Sequence, residues 1–180
     1  MKTPRLAPLA FISLLAMLLV GCGPSFKNLH EISKSSVLLL PARDAVQNGT
    51  WHEHEAGKSG TRLTDNLRDD LKKNGWEVMQ TADPAFTNRE IPTVAQQLAE
   101  ADKLGARYVL HVVLGEFLDA APMTFRPDFL TIQAATMYDS KSRELVWQLS
   151  APKVYDGTNL GVFWRFIPSI SHDIASSIVP

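Results

Sequence analysis

The order of apolar and amphipathic segments is the feature that most limits the fold of this chain. Residues 37–40 form a short apolar run closed by Pro41, as expected of a strand that is buried on both faces. From Thr61 to Asn74, leucine recurs every four residues among charged side chains, which indicates an amphipathic helix. Gly75 follows, where a left-handed residue ends many helices, and residues 76–80 then predict a second strand.

The next segment predicts a second helix from its capping residues. Thr93 is followed three residues later by Gln96, which is the pattern of a capping box. The helix is therefore expected over residues 94–104, and Gly105 ends it as Gly75 ends the first. Because a helix connects each of the first three strands to the next, these strands are expected to be parallel.

The last part of the chain predicts three strands and one helix. The strands occupy residues 106–117, 129–139 and 143–151, and the short turn between the last two makes them a hairpin. Residues 161–179 predict a C-terminal helix, kinked or begun again around Pro168. The order is β-α-β-α-β-β-β-α, and the predicted fold class is α/β (α+β), one domain with helices packed on a mixed parallel and antiparallel sheet.

The N-terminus has the composition of an export signal. Two basic residues precede an almost wholly apolar run over residues 6–20, which is shorter than the roughly 20 residues of a membrane-spanning helix. The run ends in LVGC, residues 19–22, which resembles the lipobox of bacterial lipoproteins. The resemblance implies cleavage between Gly21 and Cys22 and attachment of lipid, palmitate included, to Cys22.

The cysteine content supports lipidation. Cys22 is the single cysteine of the chain, so it cannot form an internal disulfide. Each buried acyl CH₂ contributes about 0.8 kcal/mol, so the three chains usual in lipoproteins would anchor the protein permanently. By the same resemblance, Gly23 directs the protein to the outer membrane, with the domain facing the periplasm. The alternative is an ordinary signal peptide that ends near a chance cysteine.

Three parts of the chain are therefore expected. Residues 1–21 are a lipoprotein signal peptide, residues 22–35 a lipidated anchor with a flexible linker, and residues 36–180 a periplasmic αβ domain. The linker would span roughly 20 Å as a coil and about 45 Å when extended. It would keep the domain near the membrane and let it turn.

The charge balance argues against a nucleic-acid partner. The whole chain has a net charge of −1, and removal of the signal peptide takes two basic residues with it. The mature chain is thus weakly acidic, whereas nucleic-acid binding requires a clustered lysine and arginine surface.

The segment WHEHEAGKSG, residues 51–60, contains parts of two ligand motifs. A P-loop requires glycine where His52 stands, so no nucleotide site is predicted, and Ser59 or Thr61 is expected to cap the first helix instead. His52 and His54 would share one side of an extended segment, but two imidazoles do not complete a metal site. We therefore expect no metal and no cofactor other than the covalent lipid.

Two further patterns concern catalysis and binding. Ser171, His172 and Asp173 have the identities of a catalytic triad, but neighbours on a helix point about 100° apart, and no catalytic residue is predicted. FRPD at residues 125–128 and VFWRF at residues 162–166 combine aromatic and arginine side chains, which are enriched in protein interfaces. The candidate partner surface comprises Phe125, Arg126, Phe163, Trp164, Arg165 and Phe166.

With the strand order in place, residues 99–117 and 129–148 resemble a pattern in Gram-negative periplasmic proteins. The pattern is the αβ domain of the curli secretion lipoprotein, the Pel exopolysaccharide export lipoprotein and the amino-terminal domain of the Tol-system translocation protein. Residues 36–179 are also similar to a functionally uncharacterised family of small proteobacterial outer-membrane lipoproteins. The hairpin turn differs, since those families often place glycine after Asp-x-x-Thr and this chain has Ser140-Lys141-Ser142.

The resemblance and the residues together lead to one functional hypothesis and two alternatives. The hypothesis is a lipid-anchored, non-catalytic accessory or assembly protein of the cell envelope that acts through contacts with other proteins. The first alternative is an oligomeric component of a polysaccharide or protein export system. The second is a periplasmic ligand-binding protein or hydrolase, which would require a deep pocket with convergent polar groups.

Overall fold

A mixed sheet and three helices form the part of the protein that the structure, a computed structural model, describes: residues 26–47, 58–118, 128–157 and 166–179. In chain order the elements are β1 (Phe26–Asn28), β2 (Ser36–Leu39), β3 (Val46–Gln47), α1 (Ser59–Lys73), β4 (Glu77–Met79), α2 (Val94–Leu104), β5 (Tyr108–Leu118), β6 (Asp128–Asp139), β7 (Leu145–Leu149), β8 (Lys153–Gly157) and α3 (Phe166–Ser177).

The strands combine parallel and antiparallel neighbours, as the helix and hairpin patterns predict. Their order is β1-β7-β6-β5-β2-β4, with β3 beside β5 and β8 beside β6. β2 is parallel to both β4 and β5, because α1 and α2 carry the chain between them. β5, β6 and β7 are successive antiparallel neighbours. The predicted fold class and the predicted order of eight elements are confirmed.

Three short strands were not predicted from the sequence. β1, β3 and β8 contain three, two and five residues. Each one adds to the side of a longer strand: β1 to β7, β3 to β5 and β8 to β6. Tertiary pairing rather than local pattern therefore determines these strands.

The described part of the predicted linker belongs to the domain. Phe26 pairs with Leu149 and Asn28 with Trp147, in antiparallel register. Ile32 is also buried in the core. The expectation of a flexible linker is thus wrong for residues 26–35, because their apolar side chains gain more from burial than a solvated coil would offer. The domain includes residues from Phe26 onward.

Apolar side chains cover both faces of the sheet, most fully at β2. Val37 and Leu39 point into a large cluster that also contains leucines of α1 and isoleucines of α3. Leu38 and Leu40 point to the other face, where α2 covers them. This two-sided burial explains the uninterrupted apolar run in the sequence.

The helix ends follow the predicted signals closely. At the start of α2 the Gln96 amide donates to Thr93 Oγ1 at 3.3 Å, and the Thr93 amide donates to Gln96 Oε1 at 2.8 Å, so the capping box is present. Gly75 and Gly105 both adopt left-handed φ angles, of 86° and 71°. Both glycines thus end their helices as expected.

The described part of the C-terminal helix, α3, runs from Phe166 to Ser177 and includes Pro168, and the predicted start at residue 161 lies outside the described residues. In the hairpin turn Arg143 takes the left-handed φ of 67° that glycine would favour. Within the described ranges, no helix has the length and apolar character needed to cross a membrane.

Candidate functional site

The start of β1 and the strand β8 lie close together along one edge of the sheet. The Phe26 ring stacks on Trp147 of β7, with 5.4 Å between centroids and 8° between planes. Lys153, the first residue of β8, places its Nζ atom 5.3 Å from the centroid of the Phe26 ring. We call residues 26–28 and 150–156 the β1–β8 edge.

One carboxylate joins this edge to the C-terminal helix. Asp173 of α3 accepts hydrogen bonds from Lys153 Nζ at 2.7 Å and from the Tyr155 hydroxyl at 2.8 Å, both at its Oδ2 atom. Lys153 Nζ also lies 4.6 Å from the centroid of the Tyr155 ring. The ammonium group is thus held by one carboxylate and two aromatic rings, an arrangement that favours a fixed cation.

The electrostatics of this cluster suit a structural link better than proton transfer. Burial raises the pKa of Tyr155, and the hydrogen bond to Asp173 raises it further, so the phenol stays protonated. Burial acts to raise the pKa of Asp173, but the hydrogen bonds from Lys153 and Tyr155 outweigh it and lower that pKa. General acid–base catalysis needs pKa values near the working pH, whereas these two move away from it.

Asp173→Asn should destabilise the domain by about 1 kcal/mol at neutral pH, because the neutral amide is a weaker acceptor for Lys153 and Tyr155. Asp69→Asn, on the exposed side of α1, is the matched control and should change stability by less than about 0.5 kcal/mol. Urea unfolding measures both.

The difference in free energy of unfolding between the parent and Asp173→Asn should become smaller as the pH falls below about 4. Asp173 has a lowered pKa in the folded state, so its contribution is present above the unfolded pKa and is lost as the pH falls. Equal stability of the parent and both variants at neutral pH would contradict the role given to Asp173.

The three triad-like residues of α3 have separate environments. The Ser171 hydroxyl donates to Asp70 Oδ2 of α1 at 2.6 Å. Asp173 contacts β8, and His172 is exposed. The helix thus directs Ser171 and Asp173 to different neighbours, and the structure does not bring the three side chains together.

The N-terminus of α1 is capped by a residue from a distant segment. Asp44, which follows β2, accepts from the Gly60 amide at 2.7 Å and from the Ser59 hydroxyl at 3.4 Å. Ser59 Oγ in turn accepts from the Ala45 amide at 2.8 Å. The expectation that Ser59 or Thr61 caps the helix is therefore wrong. An anion-binding helix end is here already occupied by a carboxylate, which disfavours a phosphate at Lys58-Ser59.

Hydrogen bonds also join the loop after β2 to α1 and to the segment before α2. Asn88 Nδ2 donates to the Ala42 carbonyl at 2.6 Å, and the Asp44 amide donates to the Asn88 carbonyl at 2.7 Å. The approach is so close that a Cβ atom at Gly60 would lie 2.0 Å from the Ala42 oxygen. These polar groups satisfy one another, which indicates a structural role.

A groove of about 330 Å³ lies between α2 and the segment before it. Its apolar lining includes Phe86, Ile91 and Pro92. Lys103 Nζ donates to Asp83 at 3.3 Å and to Glu100 at 3.0 Å, so these charges are paired with one another. The ligand-binding alternative requires polar groups that converge on a ligand, whereas three of the four charged side chains that line this groove, Asp83, Glu100 and Lys103, converge on each other.

Most of the predicted site residues lie outside the described part of the chain: Gly21, Cys22, Phe125, Arg126, Phe163, Trp164 and Arg165. His52 and His54, for which no metal site was predicted, also lie outside it. Phe166 is described, and it is half-buried against the core at the start of α3, so its ring completes the core. Among the described residues, no three histidine, cysteine or acidic side chains form a group that could hold a metal.

His111 of β5 is a buried histidine that sequence reasoning left without a role. It is 2% exposed, and its Nε2 atom has no hydrogen-bond partner among the described residues. Burial lowers the pKa of His111 to about 4, because the charged imidazolium would lose its hydration. The side chain is therefore neutral in the folded protein at ordinary pH.

Folding should weaken as the pH falls from about 6.5 to about 4, because the unfolded chain protonates His111 before the folded chain does. The lost stability should approach about 3 kcal/mol. Chemical denaturation at several pH values measures it, with His111→Phe expected to flatten the dependence. The exposed His30→Gln variant is the control and should follow the parent; the same pH dependence in His111→Phe would contradict the assignment.

Comparisons with known proteins find a shared fold. No protein-family model matches the sequence, and no curated protein matches it. The solved dodecamer of PelC from Paraburkholderia phytofirmans is similar with a TM-score of 0.57 and 13% identity, over 84% of this chain and 95% of PelC. The predicted similarity to the Pel export lipoprotein is confirmed at the level of the fold.

Two more solved structures are similar. Lipoprotein GNA1162 from Neisseria meningitidis has a TM-score of 0.49 and 14% identity, over 80% of this chain and 97% of that one. TolB from Acinetobacter baumannii has a TM-score of 0.41 and 13% identity, over 85% of this chain and 29% of TolB.

Proposed function

We propose that this chain is a lipid-anchored accessory or assembly protein of the bacterial envelope. It acts without catalysis, through contacts with other proteins. The observation that carries the proposal is the position of Cys22: the single cysteine ends an apolar leader and stands four residues before the first strand of the domain. A cysteine at this place suits acylation.

The side-chain chemistry of the described residues supports a role in binding. In the Lys153–Asp173–Tyr155 cluster and in the ion pairs of Lys103, the charged groups contact other side chains of the same domain. Their carboxylates therefore serve as hydrogen-bond acceptors within the fold. The domain thus suits the role of a rigid body that presents surfaces to other proteins.

The proposed location is the periplasmic face of the outer membrane. Gly23 follows the acylated position, and the lipobox resemblance associates a residue other than aspartate there with outer-membrane sorting. The lipid supplies membrane affinity, and the domain supplies specificity.

Cys22→Ser should remain an unprocessed precursor without lipid, because serine has no thiol to carry the lipid. Mass spectrometry of the purified native protein should find the lipid on Cys22 in the parent. Ser25→Ala is the matched control and should be processed and membrane-bound as the parent is. An unmodified thiol at residue 22 of the native protein would overturn the proposal.

An oligomeric export component is the second candidate, because PelC shares the fold and was solved as a dodecamer. Closed rings of identical subunits form when a head-to-tail contact between two complementary surfaces closes on itself. Mass measurement of the lipidated protein in detergent tests this candidate. A defined assembly would favour it, and a monomer at high concentration would remove it.

A further inference from the structure

The pairing of β1 shortens the tether between the lipid and the folded domain. Only Gly23, Pro24 and Ser25 separate Cys22 from Phe26, the first residue of β1. Four Cα-to-Cα steps reach at most about 14 Å along any path. A lipid on Cys22 would therefore hold Phe26 within this distance of the membrane surface.

Phe26 is fixed firmly enough for this distance to orient the domain. Its side chain is 9% exposed, between the Trp147 ring and the Lys153 ammonium group. Beyond it, the Leu29 amide donates to the Val146 carbonyl at 2.8 Å, and Asn28 Nδ2 donates to the Val179 carbonyl at 3.1 Å. The start of β1 thus moves with the sheet and does not extend the tether.

The surface beside Phe26 has the composition of a membrane-facing edge. The turn over residues 150–152 is exposed and consists of uncharged serine, alanine and proline. Val154 follows with 57% of its surface exposed. Lys27 is exposed as well, and Asp156, near the end of β8, is the exposed acidic residue of this edge. Short apolar groups flanked by lysine suit the interface between acyl chains and phosphate headgroups.

The opposite edge of the sheet is far from this surface. β4 lies five strands away from β1 in the sheet order, which corresponds to about 24 Å at the usual strand spacing. Glu77 is exposed on β4. A domain held by Phe26 with its β1–β8 edge on the membrane would therefore present β4 to the periplasm.

We propose that the β1–β8 edge rests on the lipid surface and that the short tether fixes this orientation, with the β4 edge directed away from the membrane. The proposal depends on the proposed function, because it requires lipid on Cys22. The partner that the β1–β8 edge contacts is the lipid bilayer.

Single new cysteines test the orientation, because lipidation leaves no other thiol free in this chain. Val154→Cys and Ala151→Cys place a fluorescent label on the β1–β8 edge, and Glu77→Cys places it on the opposite edge. The lipidated proteins are reconstituted in vesicles of phosphatidylethanolamine and phosphatidylglycerol that contain headgroup-proximal spin-labelled lipid. The labels at residues 151 and 154 should lose most of their fluorescence, and the label at residue 77 should keep it.

A longer tether provides the matched control. Insertion of about twelve glycine and serine residues between Ser25 and Phe26 allows a separation of roughly 20 Å. The labels at residues 154 and 77 should then be quenched to a similar extent, while the protein stays in the membrane fraction. A contrast that survives the insertion would show that tether length does not set the orientation.

The outcomes separate this inference from the proposed function. Equal quenching at residues 77, 151 and 154 in a protein with confirmed lipid would overturn the orientation and leave the anchor intact. Absence of lipid on Cys22 would overturn both. If the Val154 variant does not fold, Ala151→Cys, in an exposed turn, still decides the question.

Discussion

The long antiparallel pair of β5 and β6 supports every other strand of the sheet. β2 and β3 pair with β5, whereas β7 and β8 pair with β6. β1 then pairs with β7, and β4 pairs with β2. Short strands have little stability of their own, so they form only where such a template exists. β5 is buried along most of its length, so the pair that supports the other strands is also part of the core.

Because the outer strands are short, side chains from other elements hold them in place. Asp173 of α3 connects to β8 through Lys153 and Tyr155. On the other side, Asp44 fixes the loop after β2 to the first turn of α1. Asp173 and Asp44 thus contribute to the architecture of the domain.

The sequence predicted those parts of the fold whose signals are local. The leucine repeat of α1, the Thr93–Gln96 capping box and the two helix-ending glycines each lie within a few residues of their effect. Asp44 as a helix cap and Asp173 as a link to β8 could not be found in this way, since the partners are separated by many residues and only the fold unites them. The strand at residues 26–28 was missed for the same reason: three residues show no periodicity, and their pairing depends on β7.

The position of β1 connects the fold to the way an anchored domain can meet its partners. With lipid on Cys22, as proposed, a flexible linker would let every surface sample the membrane, whereas a strand that begins four residues after the cysteine would leave one edge near the lipid. Both helical faces and the β4 edge would then remain accessible from the periplasm. β4 is short and carries the exposed Glu77, features that discourage edge-to-edge strand addition. Partners are therefore expected to meet the helical faces through side chains, and the groove beside α2 lies on one of these faces.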